Sequence, residues 1–382
     1  MKILDRYIIQ TFVVSLVIVL VAMMGIALVL DLFFNMNQFI EMTGDAQELG
    51  FGQVLWNILD YYFYKAFDYF QLLLAPVMLV SAAASLVRLN RGHEITGMKA
   101  AGVSLYRIMW PMVAACVLLD VFYIVNQEFL IPAVSVQLTR EPDDLVVPER
   151  FAVDFVRDEH NNIIYAPVYD PVRHEMLAEK RVLAGGQVVF PARIRIFERD
   201  SKYRPRGTIE AERAVWNGRD GWNLEGGVKF PPMREGAEVD HTDEAGVPCL
   251  FYHTRIGPEA IERYRSSDFF RYLSSGELKA LAEDPMRGNR RQLQVTLHQH
   301  VTSPILNLLI LLLGLPFVAG REDRNYFASI GIAIALFVGV FVLVFASTAF
   351  GNSGHVSPLL AAWVPVFAAL PAAVLAMESL RT

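Results

Sequence analysis

Residues 325–377 run for 53 positions without an Asp, Glu, Lys or Arg. About 20 apolar residues carry a helix across a bilayer core, so this stretch is long enough for two crossings. In water it would have no charged face to turn outward. Gly351-Asn352-Ser353-Gly354, followed by Ser357-Pro358, supplies turn chemistry that divides it. Residues 7–30 add 24 uncharged positions between Arg6 and Asp31. They are too many for a signal-peptide core and lack a small-residue cleavage site, so they are expected to remain as a first span. Residues 69–87, 105–127 (interrupted by Asp120) and 292–320 complete six predicted spans. A hydrophobic content of 54% and a mean hydropathy of +0.34 agree with a membrane protein.

The charge is concentrated elsewhere. Residues 133–295 hold 24 Lys/Arg and 27 Asp/Glu, and the rest of the chain holds only 10 and 13. The expected organisation is therefore spans one to three in 1–132, a polar domain over 133–275, and a connecting helix with spans four to six in 276–382. A net charge of -6, with the polar insert nearly balanced, offers no basic field for nucleic acid. Two cysteines, Cys116 and Cys249, cannot build a disulfide framework or a zinc site.

Positively charged short loops stay cytoplasmic. Lys2 and Arg6, then Arg88, Arg91, Lys99 and Arg107, then Arg321 and Arg324, and finally Arg381 all fall on one side of the six-span count. Both termini are thus expected in the cytoplasm and the polar insert outside, which in a cell envelope means the periplasm. The insert reads as β. Phe151, Val153 and Phe155 alternate with their neighbours, as do Ile194 and Ile196, so these five are expected on one apolar face. Asn161-Asn162 supplies a turn, and residues 217–221 join Val215-Trp216 to Trp222-Asn223-Leu224 as a hairpin. The predicted fold is a six-helix transmembrane protein with an inserted all-β domain, whose short strands at roughly ten-residue spacing suit a sandwich, a jelly roll or an open barrel. Ser274-Ser275-Gly276-Glu277 reads as the N-cap and first turn of the connecting helix.

Catalytic motifs are missing. His93-Glu94 begins a zinc-protease pattern, but the second imidazole would have to stand at Gly97. There is no phosphate-binding GxxxxGK[ST] loop, so any ATPase that powers transport must be another chain. The loop after span two can form a short helix over about 93–101, with Glu94 at its positive end, Gly102 as a left-handed C′ residue and Ser104 capping span three. Ile95 and Met98 form a small apolar face that wants a groove to lie in, the alternative being a re-entrant helix on the membrane surface.

Several stretches, in order along the chain, resemble the LptF/LptG lipopolysaccharide export permeases: Leu4-Asp5-Arg6-Tyr7, Glu94 with Met98-Lys99-Ala100-Ala101-Gly102-Val103-Ser104, Trp216 with Trp222-x-Leu224, Leu297-His298 to Pro304, Leu315-Pro316-Phe317, and Gly354 to Pro358-Leu359-Leu360-Ala361-Ala362-Trp363-Val364-Pro365. The amino- and carboxyl-terminal patterns are closer to LptG than to LptF. The resemblance implies a non-catalytic permease subunit of an ABC exporter that lifts lipopolysaccharide, or a similar glycolipid, out of the inner membrane. It also implies a second LptF/LptG-like subunit, an LptB-like ATPase dimer that binds the ATP and Mg, and periplasmic jellyroll bridge proteins like LptC and LptA. No cofactor is expected in this chain. Glu94, with Ile95 and Met98, would dock the ATPase. The rival reading is a membrane-anchored envelope sensor or assembly scaffold, which would have no use for an ATPase-docking helix.

Two departures from the family stand out. His93 replaces a small polar residue, and Thr296-Leu297-His298-Gln299-His300 stands where Glu-Leu-His-x-Lys is usual, so His300 replaces a fixed cation. Candidate substrate contacts are His300, the basic cluster Arg287, Arg290 and Arg291, whose guanidinium groups suit phosphate, Lys65 at the outer edge of span two, and Asp120. Asp120 is costly within a span and is expected to face a cavity or a hydrogen-bonding neighbour, the alternative being a protonated structural role. Phe155 and Ile196 are expected to line an apolar trough in the β domain.

Overall fold

A computed structural model of the chain describes residues 3–36, 51–140, 150–179, 192–200, 204–232, 246–265, 269–283, 289–319 and 326–378. Among these, six helices are long and apolar enough to cross a membrane: Ile3–Phe34, Leu55–Arg91, Leu105–Ala133, Arg290–Val318, Ile334–Asn352 and Pro358–Glu378, hereafter spans one to six. The helix that carries span two begins at Phe51 instead of residue 69. At 1.5 Å per residue it is about 60 Å long, roughly twice a hydrocarbon core, and Asp60, Lys65 and Asp68 all lie in its leading half. Two compact units result. One lies within Met1–Phe34, Tyr62–Val134 and Phe270–Thr382, the other within Asn35–Tyr61 and Ser135–Phe269.

Spans two, three, four and six hold the core of the first unit, with Met78, Met112, Leu311 and Ala369 among its buried residues. Small residues let the helices approach, as usual where lipid removes the hydrophobic drive between them. A Cβ at Gly314 of span four would collide with Leu79 of span two. Among its buried residues, span one contributes to this core only near its amino-terminal end, at Ile8 and Phe12.

Span three is not a uniform helix. Its α-helical part, Leu105–Val125, passes into a π-turn at Asn126–Leu130 and resumes at Ile131–Ala133. Pro132 explains the wide turn. In an α-helix its ring would press on the carbonyl four residues back, at Glu128, and one extra residue in the turn relieves that clash.

The second unit is an antiparallel sheet curled into a half-barrel. Its strands are β1 Phe151–Arg157, β2 Ile163–Asp170, β3 Glu175–Leu177, β4 Ile194–Arg199, β5 Pro205–Ala211, β6 Arg213–Trp216, β7 Gly221–Glu225, β8 Val228–Phe230, β9 Val247–Pro248 and β10 Phe251–His253. They run in the order β10-β7-β6-β3-β2-β4-β5-β8-β9, with β1 paired to β2. The sheet divides at β2, where residues 163–165 pair with β4 and residues 168–170 with β3. Pro167 sits between the two sets, and having no N–H it loses no ladder bond there.

The hairpin at 217–221 forms as the sequence indicates. Trp216 pairs with Trp222, and the Asn217 carboxamide oxygen accepts the N–H groups of Arg219, Asp220 and Gly221. Trp222 is fully buried and donates its indole N–H to the Ile256 carbonyl at 2.9 Å. The single apolar face expected along β1 does not form. The pairing of β1 with β2 shifts register between Val153 and Val156, and both of those residues are buried. Phe155 is left 62% exposed, in the left-handed region at φ 54°. One extra residue in a period-two pattern reverses every later side chain, and so turns Phe155 outward.

Candidate functional site

The loop between spans two and three folds as a helix over Glu94–Ala100. It closes with the Schellman pattern: Val103 N–H bonds the Met98 carbonyl at 3.0 Å, Gly102 N–H bonds that of Lys99 at 2.9 Å, and Gly102 has φ 82°. His93 enters the helix at φ 56°, a left-handed conformation seldom taken by residues other than glycine. Ser104 stands at the N-cap of span three in extended conformation, but its side chain makes no capping bond.

The apolar pair of this helix does not face outward. Ile95 is buried in the chain's own core and Met98 packs on the same core, because seven residues of helix gain more from the adjacent spans than from water. This corrects the expected orientation. The exposed positions are Thr96, Gly97 and Ala100, beside half-buried Glu94. The Glu94 carboxylate accepts the Tyr7 hydroxyl of span one at 3.0 Å, and Asp5 forms a 3.5 Å ion pair with Arg107 at the head of span three. The Leu4-Asp5-Arg6-Tyr7 stretch thus lies at this loop, a contact between distant residues that nothing in the local pattern announces.

A second constellation runs along the facing sides of spans three and four. Asp120 Oδ1 accepts the Asn307 amide at 3.0 Å. Tyr123 has Gln71 and Ser303 as hydrogen-bonding neighbours. Gln127 accepts from Gln71 at 3.0 Å and donates to the His300 carbonyl at 3.4 Å. Positions 120, 123 and 127 meet 307, 303 and 300 in antiparallel order. Both helices therefore carry a polar stripe at the i, i+3, i+7 spacing, which places one face of each against the other.

The π-turn brings Glu128 to the end of this seam that is farther from the loop helix. Its carboxylate accepts the Ser275 N–H at 3.0 Å and the Ser275 hydroxyl, and His300 Nδ1 stands 3.3 Å away. Ser275 is the first residue of the connecting helix Ser275–Ala282, whose cap is a full capping box between Ser274 and Glu277. The arrangement is a polar clasp and not a nucleophilic site. Ser275 and Glu128 both address the same imidazole nitrogen, whereas a relay needs one on each side of the ring.

The other candidates are dispersed. Asp120 has its hydrogen-bonding neighbour in Asn307, and Lys65 is half-buried in span two. Arg290 donates to the Ala282 carbonyl at 2.9 Å, and Arg291 lies over Gly354 in the turn between spans five and six. Arg287 lies outside the described residues. The proposed trough is not a shared face, because Ile196 is 1% exposed and sealed in the sheet core whereas Phe155 points out. Glu128, Gln127, Gln71, Ser275 and Asn307 escaped the sequence reading. The one available signal was Pro132, four residues after a glutamate at the end of a span.

In the β unit two clusters around buried carboxylates are structural. Burial pushes the Asp170 carboxyl up, but the N–H groups of Arg173 and Val172 and the Arg150 guanidinium outweigh it and hold Asp170 below the usual carboxylate range. Burial, with the hydrogen bond it donates to Asp158, raises the Tyr252 hydroxyl above its ordinary value. Asn162 donates to both, which fastens the β1–β2 turn to β10.

The profile of the lipopolysaccharide export system permease LptF/LptG family matches residues 6–378. Among the curated proteins there is no match.

Proposed function

Since the chain belongs to the LptF/LptG family of lipopolysaccharide export permeases, a family of multi-pass inner-membrane transport proteins, we propose that it is the LptG-like permease subunit of an ABC exporter. In this reading it hydrolyses nothing itself. An LptB-like ATPase dimer binds ATP and Mg and supplies the work, and a second LptF/LptG-like subunit completes the membrane path. The β unit hands lipopolysaccharide, or a closely similar glycolipid, to LptC/LptA-like jellyroll proteins in the periplasm, and both termini are cytoplasmic.

The observation that carries the reading is the loop helix Glu94–Ala100. Ile95 seats it on the core of the spans while Thr96, Gly97 and Ala100 stay exposed. A seven-residue helix is marginal alone, so one fastened to the bundle with a bare outer side suits a rigid plug for another protein. Glu94 at its edge is the proposed principal contact for the ATPase. Lipid phosphates would meet the basic residues Arg287, Arg290 and Arg291 near the head of span four, with Lys65 on span two.

The test is copurification. Glu94→Arg should leave membrane insertion intact and reduce the ATPase recovered with the chain at least tenfold, and mass spectrometry of lipid bound to the parent complex should find a phosphorylated, multiply acylated glycolipid. Undiminished ATPase recovery with Glu94→Arg would remove the docking assignment.

A further inference from the structure

The buried residues of span one all lie toward its amino-terminal end. They are Ile8, Thr11, Phe12 and Ser15, and every described residue beyond Ser15 is half-buried or exposed. The centre of that buried patch lies between Thr11 and Phe12. At 1.5 Å per residue, Tyr7 is about 7 Å inside this point and Phe34 about 34 Å outside it. A stiff helix gripped there is a lever, and a displacement at Tyr7 is enlarged about fivefold at the outer tip.

The short arm ends on the loop helix. Tyr7 donates its hydroxyl to Glu94 Oε1 at 3.0 Å. The Glu94 side chain lies close over Gly92, where an added Cβ would stand 3.1 Å from Oε1 and 3.3 Å from Cγ. The carboxylate thus lies beside Gly92 and accepts the tyrosine hydroxyl, on a helix whose Ile95 is sealed in the core. At the long arm's end, Asp31 accepts the hydroxyl of Tyr62 on span two at 3.1 Å. This is a polar catch between two half-buried side chains.

We propose that Tyr7 is the positioning residue that ties span one to the loop helix, so that a shift of that helix swings the outer part of span one. The proposal rests on the docking reading for its source of movement, and the clasp itself is tested without it. The loop helix is then more than a plug. Glu94 faces the partner on one side and steers a span on the other, and the Asp31–Tyr62 catch sets the resting position of the tip.

In the full chain purified without any ATPase, Tyr7→Phe removes one oxygen and should speed amide exchange over Glu94–Ala100 about tenfold, with spans two to four unchanged. Unaltered exchange there overturns the clasp, whether or not an ATPase docks. In the complete complex, on a Cys116→Ala, Cys249→Ala background, nitroxides at Val29→Cys and Phe367→Cys should report a distance change of several Å when ATP is added. Tyr7→Phe should abolish that change while ATPase recovery and ATP hydrolysis stay within twofold of the parent. Persistence of the change in Tyr7→Phe overturns the lever and leaves docking standing. Loss of ATPase recovery in Tyr7→Phe also overturns it, by placing Tyr7 in the docking surface.

Discussion

Replacing Glu128 by glutamine tests the clasp at the Glu128 end of the polar seam with almost no change in volume. In the parent, one carboxylate oxygen accepts the Ser275 N–H at 3.0 Å and the other accepts the Ser275 hydroxyl, with Gln127 at 3.5 Å and His300 Nδ1 at 3.3 Å from that second oxygen. Glutamine keeps one acceptor and turns the other into an NH2 group facing donors. A hydrogen bond to a charged group contributes about 1.5–3 kcal/mol, and a neutral one about 0.5–1.5. One bond lost and one weakened should destabilise the docked start of the helix Ser275–Ala282 by about 2–3 kcal/mol. At 1.4 kcal/mol per factor of ten, its local opening should rise about 30-fold or more. Hydrogen exchange read by mass spectrometry over 275–282 should show that acceleration, with residues 300–318 of span four unaffected. Ser274→Ala, which removes the capping box, should add about 1 kcal/mol independently. Unchanged exchange over 275–282 in a folded Glu128→Gln protein would refute the claim that Glu128 fastens this helix.

Trp222→Ala should destabilise the β unit by about 3–5 kcal/mol, since it empties a fully buried site and orphans the Ile256 carbonyl; denaturant unfolding followed by Trp216 fluorescence measures it, and a loss below 1 kcal/mol would contradict the packing described. Asp170 has a lowered folded-state value, so its contribution is complete above the unfolded carboxyl value of about 3.9 and disappears as pH falls through the folded one. Asp170→Asn should therefore lower thermal stability at pH 7, with the penalty shrinking as pH falls below the unfolded carboxyl value, and a penalty independent of pH would argue against the ionic role. For orientation, an impermeant maleimide applied to spheroplasts of a Cys116→Ala, Cys249→Ala chain should label Asp220→Cys but not Ala101→Cys. The opposite pattern would invert the topology.

Along the membrane part, the sequence alone determined which segments cross, because burying a charge in lipid is so unfavourable that uncharged runs and the turn at 351–358 mark the spans directly. Local chemistry likewise announced the Asn217 hairpin, the Ser274 cap and the Gly102 helix end, since each depends on neighbours a few residues apart. Tertiary structure decided what those elements face. Ile95 and Met98 look like a docking stripe until the core of the spans claims them. Phe155 follows the alternation until a bulge reverses it. The pairings of Tyr7 with Glu94, Asp120 with Asn307 and Glu128 with Ser275 join residues 87, 187 and 147 positions apart. A helical or strand period reports which residues share a face of one element. Which face of another element they meet is set by packing the whole chain at once.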